Sequence, residues 1–168
     1  MPESKSLILD HKNIEQKINR IAYQIYETHY DQKKIIIAGI AESGFILAKL
    51  ISMKLKKISP LDVVMCELKI NKKNPLQSEI NLNIEPKDFK NETIIVVDDV
   101  SNSGKTMMYV IKPFLEVPIK KLSIAVLIKR SHKRFPLNAD YVGLSLTTTL
   151  KEHIEVSLEK GNYAAYLS

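Results

Sequence analysis

The chain has 168 residues, 45% hydrophobic and 26% charged, with a formal net charge of +6. This is the length and composition of one ordinary globular domain, residues 1–168, and is too short for two comfortable ones. A single cysteine, Cys66, excludes an internal disulfide, and no apolar run approaches the length of a membrane span.

The N-terminus lacks a signal peptide's basic–apolar–small pattern, which with the lone thiol leads us to expect a protein of the reducing cytoplasm. Four dispersed histidines show no zinc-like spacing. The basic excess fits anionic partners, phosphates or nucleic acid, and fits equally a charge kept for solubility. Aromatic residues do not interleave with the lysine clusters as they would in a single-strand stacking platform.

In chain order, Asp10 can cap a first helix over 11–29, with Ile14, Ile18, Ile21 and Ile25 at helical spacing. A short buried strand follows over 35–38, and Gly39 to Gly44 make a turn. Phe45, Leu47, Ala48, Leu50, Ile51 and Leu55 then mark a second helix. Residues 62–70 read as a strand, with Cys66 in a packing role. The segment 71–91 is polar, carries Pro75 and Pro86, and at about twenty residues is either a functional loop or an edge hairpin. A strand, a short helix and three further strands complete the series. Alternating strands and helices imply right-handed crossovers and an α/β fold with a mostly parallel central sheet flanked by helices.

The densest stretch is Thr93 to Thr106. Thr93 to Val97 are all β-branched, which suits a strand buried on both faces. Asp98 and Asp99 stand where that strand should end, before the small, hydroxyl-rich loop Ser101-Asn102-Ser103-Gly104. The loop runs into Met107 to Ile111, which can continue as a helix until Pro113. Such a unit offers backbone N–H groups and hydroxyls to a phosphate, with two carboxylates beside it for sugar hydroxyls or a hydrated Mg²⁺. The pattern asks for a phosphorylated sugar. A nucleotide P-loop is excluded because position 99 is Asp rather than Gly, and a dinucleotide fingerprint because only Gly104 is present. A buried strand whose terminal acids merely charge a loop would look similar.

Val97-Asp98-Asp99-Val100 through Ser103-Gly104-Lys105-Thr106 resembles the phosphoribosyl-pyrophosphate signature of type I phosphoribosyltransferases, with Ser103 where Thr is usual. Scattered matches over roughly residues 7–158 are similar to the pyrimidine-operon attenuation regulator/uracil phosphoribosyltransferase family. They include Arg20-Ile21-Ala22, Gly39-Ile40, Leu47-Ala48-Lys49, Arg130, His132 and Ala139-Asp140-Tyr141.

This resemblance implies a Mg²⁺-dependent phosphoribosyltransferase with a pyrimidine such as uracil as acceptor, and a mobile flap over residues 71–91. It implies that Ser101, Asn102, Ser103, Gly104, Lys105 and Thr106 cradle the 5′-phosphate, with Lys105 at the phosphate or, preferably, turned to solvent. Asp98 and Asp99 are its catalytic residues, meeting the ribose and, through water, the metal. Ala41, Glu42, Ser43 and Gly44 form its pyrophosphate loop, Lys72 and Lys73 could meet pyrophosphate from the flap, and Arg130 and His132 would lie at the base. Two departures stand out: the pyrophosphate loop has no cation and gains Glu42, and Lys129-Arg130-Ser131-His132 stands where relatives tend to show Asp-Arg-Gly-His. RNA attenuation, or nucleotide sensing by a chain weakened in transfer, is the alternative. A homodimer is expected, as the commonest closed assembly.

Overall fold

The computed structural model describes residues 5–168; the first four residues of the expected domain lie outside them. Its framework is a six-stranded sheet with spatial order β4 (Asn81–Leu82), β3 (Asp62–Lys69), β2 (Lys34–Ile40), β5 (Thr93–Ser101), β6 (Lys121–Arg130) and β7 (Tyr141–Leu146), accompanied by a three-stranded sheet of β1 (Ser6–Leu9), β9 (Asn162–Leu167) and β8 (Ile154–Glu159). Both follow from local sequence and from pairings that the sequence conceals.

Strand β1 (Ser6–Leu9) leads into helix α1 (His11–His29). At its start the Asn13 backbone N–H donates to the Asp10 carboxylate at 2.8 Å, and the Asp10 N–H donates to the Asn13 side-chain oxygen at 3.2 Å. This reciprocal cap satisfies donors that the first turn leaves without partners. Ile14, Ile18, Ile21 and Ile25 form the expected buried stripe. At the far end, His29 Nε2 lies 3.1 Å from the Tyr141 hydroxyl, and Gln32 Nε2 lies 3.0 Å from His29 Nδ1. Burial, aided by Lys121, holds this imidazole below its ordinary pKa, in the neutral form such a network needs.

Strands β2 (Lys34–Ile40), β3 (Asp62–Lys69), β5 (Thr93–Ser101), β6 (Lys121–Arg130) and β7 (Tyr141–Leu146) run parallel, with helix α2 (Ser43–Ile58) crossing between the first two. Alternate residues of β5 enter different cores. Ile95 and Val97 pack with α1 and α2, whereas Ile94 and Val96 pack with Phe89, Val110 and Phe114. A strand buried on both faces has no use for polar alternation, which explains the unbroken β-branched run.

Of the two expectations for 71–91 the structure shows the edge hairpin, in which the two-residue β4 (Asn81–Leu82) pairs antiparallel with Leu68 and Lys69 before a 3-10 turn at Pro86–Phe89. The structure departs from the expected elements in three places. Strand β5 continues through Asp98 and Asp99 to Ser101, because Val100 and Ser101 still pair with Ile128 and Lys129 of β6. Helix α3 (Lys105–Val110) gives way to a second 3-10 turn, Lys112–Glu116, where Pro113 fits a first-turn position. Finally, β7 is followed by two strands rather than one, β8 (Ile154–Glu159) and β9 (Asn162–Leu167), and β9 pairs antiparallel with the unexpected β1. Among the described residues no helix is long and apolar enough to cross a membrane.

Candidate functional site

Because β2 and β5 are neighbours in a parallel sheet, the loop after β2 and the end of β5 emerge side by side. Gly44 presses directly on the acids. A Cβ at that position would come within 2.8 Å of the Val97 carbonyl oxygen and 2.9 Å of Asp98 Oδ1. The adjacent Ser43 hydroxyl donates to Asp99 Oδ2 at 2.7 Å. The Ala41–Gly44 loop and the acid pair are therefore one packed unit.

Asp98 is the buried member, its side chain 7% exposed. It accepts the Asp99 backbone N–H at 2.9 Å, and Lys72 Nζ lies 3.2 and 3.4 Å from its two oxygens. Burial, and behind it the Asp99 charge, push its carboxyl up to about 7 against the pull of Lys72. Asp99 is half-buried and accepts the Val100 N–H at 2.8 Å.

The loop after β5 turns at Gly104, whose φ of 83° lies in the left-handed region where a side chain is strained. The Ser103 hydroxyl accepts the Lys105 N–H at 3.3 Å. From outside, the Arg134 and Phe135 N–H groups donate to the Ser103 carbonyl at 2.9 and 3.0 Å. The stretch after β6 thus buttresses the loop, a support that sequence spacing did not reveal.

A cavity of about 420 Å³ opens over these groups. Its walls are Lys72, the continuous run 98–107, and 153–156 at the start of β8. The structure therefore brings together Asp98, Asp99 and all of Ser101, Asn102, Ser103, Gly104, Lys105 and Thr106. Ala41, Glu42, Ser43 and Gly44 do not line the cavity but abut its floor through Ser43 and Gly44. Arg130 and His132 also lie off its surface, the guanidinium bonded to protein oxygens and His132 Nε2 3.3 Å from the Thr148 hydroxyl. The β8 wall went unread. Its alternating Ile154, Val156 and Leu158 mark a strand, but periodicity carries no information on which cavity a strand faces. A larger groove of about 690 Å³, between residues 75–86 and 109–116, contains neither acid.

The model of the phosphoribosyl transferase domain matches residues 4–160 of this chain. The chain belongs to the phosphoribosyltransferase family. The chain is 33% identical over 153 residues to the bifunctional protein PyrR of Streptococcus agalactiae serotype Ia, covering 90% of this chain and 88% of the relative. It is 32% identical over 170 residues to the PyrR of Bacillus pumilus, with 94% and 93% covered. These relatives agree with the branch that the sequence resembles. The fold also matches a hypoxanthine-guanine phosphoribosyltransferase of Bacillus anthracis, at a TM-score of 0.73 and 19% identity over 98% of this chain and 99% of the other. The hypoxanthine phosphoribosyltransferase of Trypanosoma cruzi gives a TM-score of 0.75 at 12% identity, with 96% of both chains covered. Likeness at such identities concerns the fold alone.

Proposed function

We propose that this chain transfers a 5-phosphoribosyl group from phosphoribosyl pyrophosphate to a pyrimidine base such as uracil. The observation that carries the reading is one cavity holding the acid pair, buried Asp98 and half-buried Asp99, and the entire Ser101–Thr106 loop. In this reading the loop's N–H groups and the Ser103 and Thr106 hydroxyls receive the 5′-phosphate. Asp98 and Asp99 accept hydrogen bonds from the ribose hydroxyls and stabilise positive charge developing at C1. The C1–O bond breaks with its electron pair leaving on pyrophosphate, a base nitrogen forms the new C1–N bond, and the base gives up its N–H proton to the departing pyrophosphate or to water. The wall at 153–156 supplies a surface for the base and keeps water from C1. The segment 71–91 serves as a flap, with Lys72 at its root.

Mg²⁺ fits the donor set as a cation that keeps much of its water. Two adjacent carboxylates are present, and among the described residues no third His, Cys, Asp or Glu joins them to form a cage. Asp98 and Asp99 would hold it through water, and when bound it supplies positive charge to the leaving pyrophosphate. Glu42 works in the other direction, since an exposed carboxylate beside that position repels the leaving group. This observation supports a second reading, in which the chain binds nucleoside monophosphates as a sensor and transfers slowly.

Calorimetric titration of phosphoribosyl pyrophosphate with Mg²⁺, beside the Asp98→Asn/Asp99→Asn variant, tests both. We expect binding by the native chain, weakened at least about tenfold by the double substitution, and pyrophosphate release once uracil is added. Absence of binding by the native chain refutes the transferase reading. Binding of uridine monophosphate alone would select the sensor.

A further inference from the structure

We propose that Arg130 is a positioning residue that couples occupation of the Ser101–Thr106 loop to order in the opposite wall of the cavity. The inference rests on the reading of that loop as a phosphate-ester seat.

Arg130 closes β6 and is 8% exposed. Its Nη1 donates to the Asn102 side-chain oxygen at 3.0 Å, inside the phosphate loop. Its Nε donates to the Thr148 hydroxyl at 2.9 Å, and its Nη2 donates to the carbonyls of Thr149 at 3.0 Å and Glu152 at 2.7 Å. Four of the five guanidinium N–H groups are thus spent on two chain segments far apart in sequence, the loop at Asn102 and the stretch 148–152. The second segment, 147–153, has no regular structure and leads straight into β8, where 153–156 form the far wall. Thr148 is the knot of this tie, since its hydroxyl accepts from Arg130 and also lies 3.3 Å from His132 Nε2.

Charge makes the tie responsive. No carboxylate lies within ion-pairing distance of Arg130 among the described residues. Its buried cation is hydrogen-bonded by neutral oxygens, and the Glu152 carboxylate acts on it only from beyond ion-pairing distance, on the 147–153 side. A phosphate received by the loop adds negative charge on the opposite side, close to Asn102. That stabilises the guanidinium in its present fork and, through the rigid planar group, fixes 147–153 and the wall behind it. The guanidinium does not line the cavity, so it acts through Asn102 and Thr148 rather than on substrate.

Hydrogen exchange of the full chain, with and without saturating ribose 5-phosphate, tests this. In the native protein the sugar phosphate should slow exchange both at 98–106 and at 147–156. Arg130→Gln should lose the protection at 147–156 and bind about tenfold more weakly, whereas Arg130→Lys keeps the charge and should recover affinity without the remote protection. Thr148→Val removes only the far knot, and so tests the coupling even if Arg130→Gln fails to fold. It should bind ribose 5-phosphate within about threefold of the native chain yet show reduced remote protection, because Nη2 still holds the Thr149 and Glu152 carbonyls. Native protection confined to 98–106, or remote protection undiminished in Thr148→Val and Arg130→Lys, overturns the proposal while leaving the phosphate seat intact. No binding of ribose 5-phosphate to the native chain overturns the seat and the coupling together.

Discussion

Lys72 is the only cation within ion-pairing distance of Asp98 among the described residues, and the neighbouring Asp99 adds like charge. The folded protein therefore holds the Asp98 proton to about pH 7, whereas an unfolded aspartate releases it near its ordinary value of 3.8. Between those values the folded state binds more protons, so this group makes stability fall as pH rises, the reverse of an ordinary salt-bridged aspartate. Asp98→Asn removes the penalty while sacrificing the Lys72 pair. We expect a net gain of about 1–2 kcal/mol at pH 8, seen calorimetrically as a melting point higher by roughly 2–8 °C. The gain should shrink towards pH 4.5, and a difference that ignores pH would refute the account. The two acids were legible as residues, because a carboxylate pair at the end of a fully apolar strand is conspicuous. Lys72 was legible only as a cation in a loop, since reaching Asp98 depends on where the chain folds back. Arg130 and His132 were legible as polar groups near a strand end. Which oxygens their nitrogens reach is decided by residues 148–152, which sequence spacing does not bring near.

Helix α1 is legible to its ends because its signals are local, the Asp10 cap and the 3.6-residue stripe, to which the structure adds the Asn13 acceptor. Its first turn has no acidic residue within the helix, so the cap carries the N-terminus alone. Asp10→Ala should cost about 1 kcal/mol, measured by urea unfolding, and an unchanged midpoint would show that the Asn13 arm suffices. Strand β1 illustrates the opposite case. It has four residues, one of them buried, and its partner β9 lies at the other end of the chain. Neither periodicity nor composition can reveal a strand that exists because a distant one needs an edge partner. The same holds for β4, two residues long and defined by its pairing with β3.

At the scale of the molecule, the main sheet is buried on both faces while the β1-β9-β8 sheet is thinner and closes one side. Native-state hydrogen exchange should rank them accordingly: amides of β2 and β5 slowest, those of β1 and β4 fastest. Fast exchange in β5 would contradict the two-sided core. The alternation of strands and helices made the parallel sheet legible, and with it the side of the sheet where loops converge. The second sheet was hidden because antiparallel closure between chain ends leaves no trace in spacing. One consequence concerns chain length. Lys72 leaves the end of β3 at Lys69 and must arrive at Asp98 on β5, with β2 between them, so only a very short leash carries the ammonium across. Extra residues inserted between Lys69 and Lys72 would let it wander, whereas the exposed stretch Gln77–Glu79 should accept several glycines for roughly 0.6 kcal/mol per doubling of loop length. A library of insertions scored by folding and by ligand binding would therefore map the segment 70–80 as two materials, a tether of fixed length followed by slack.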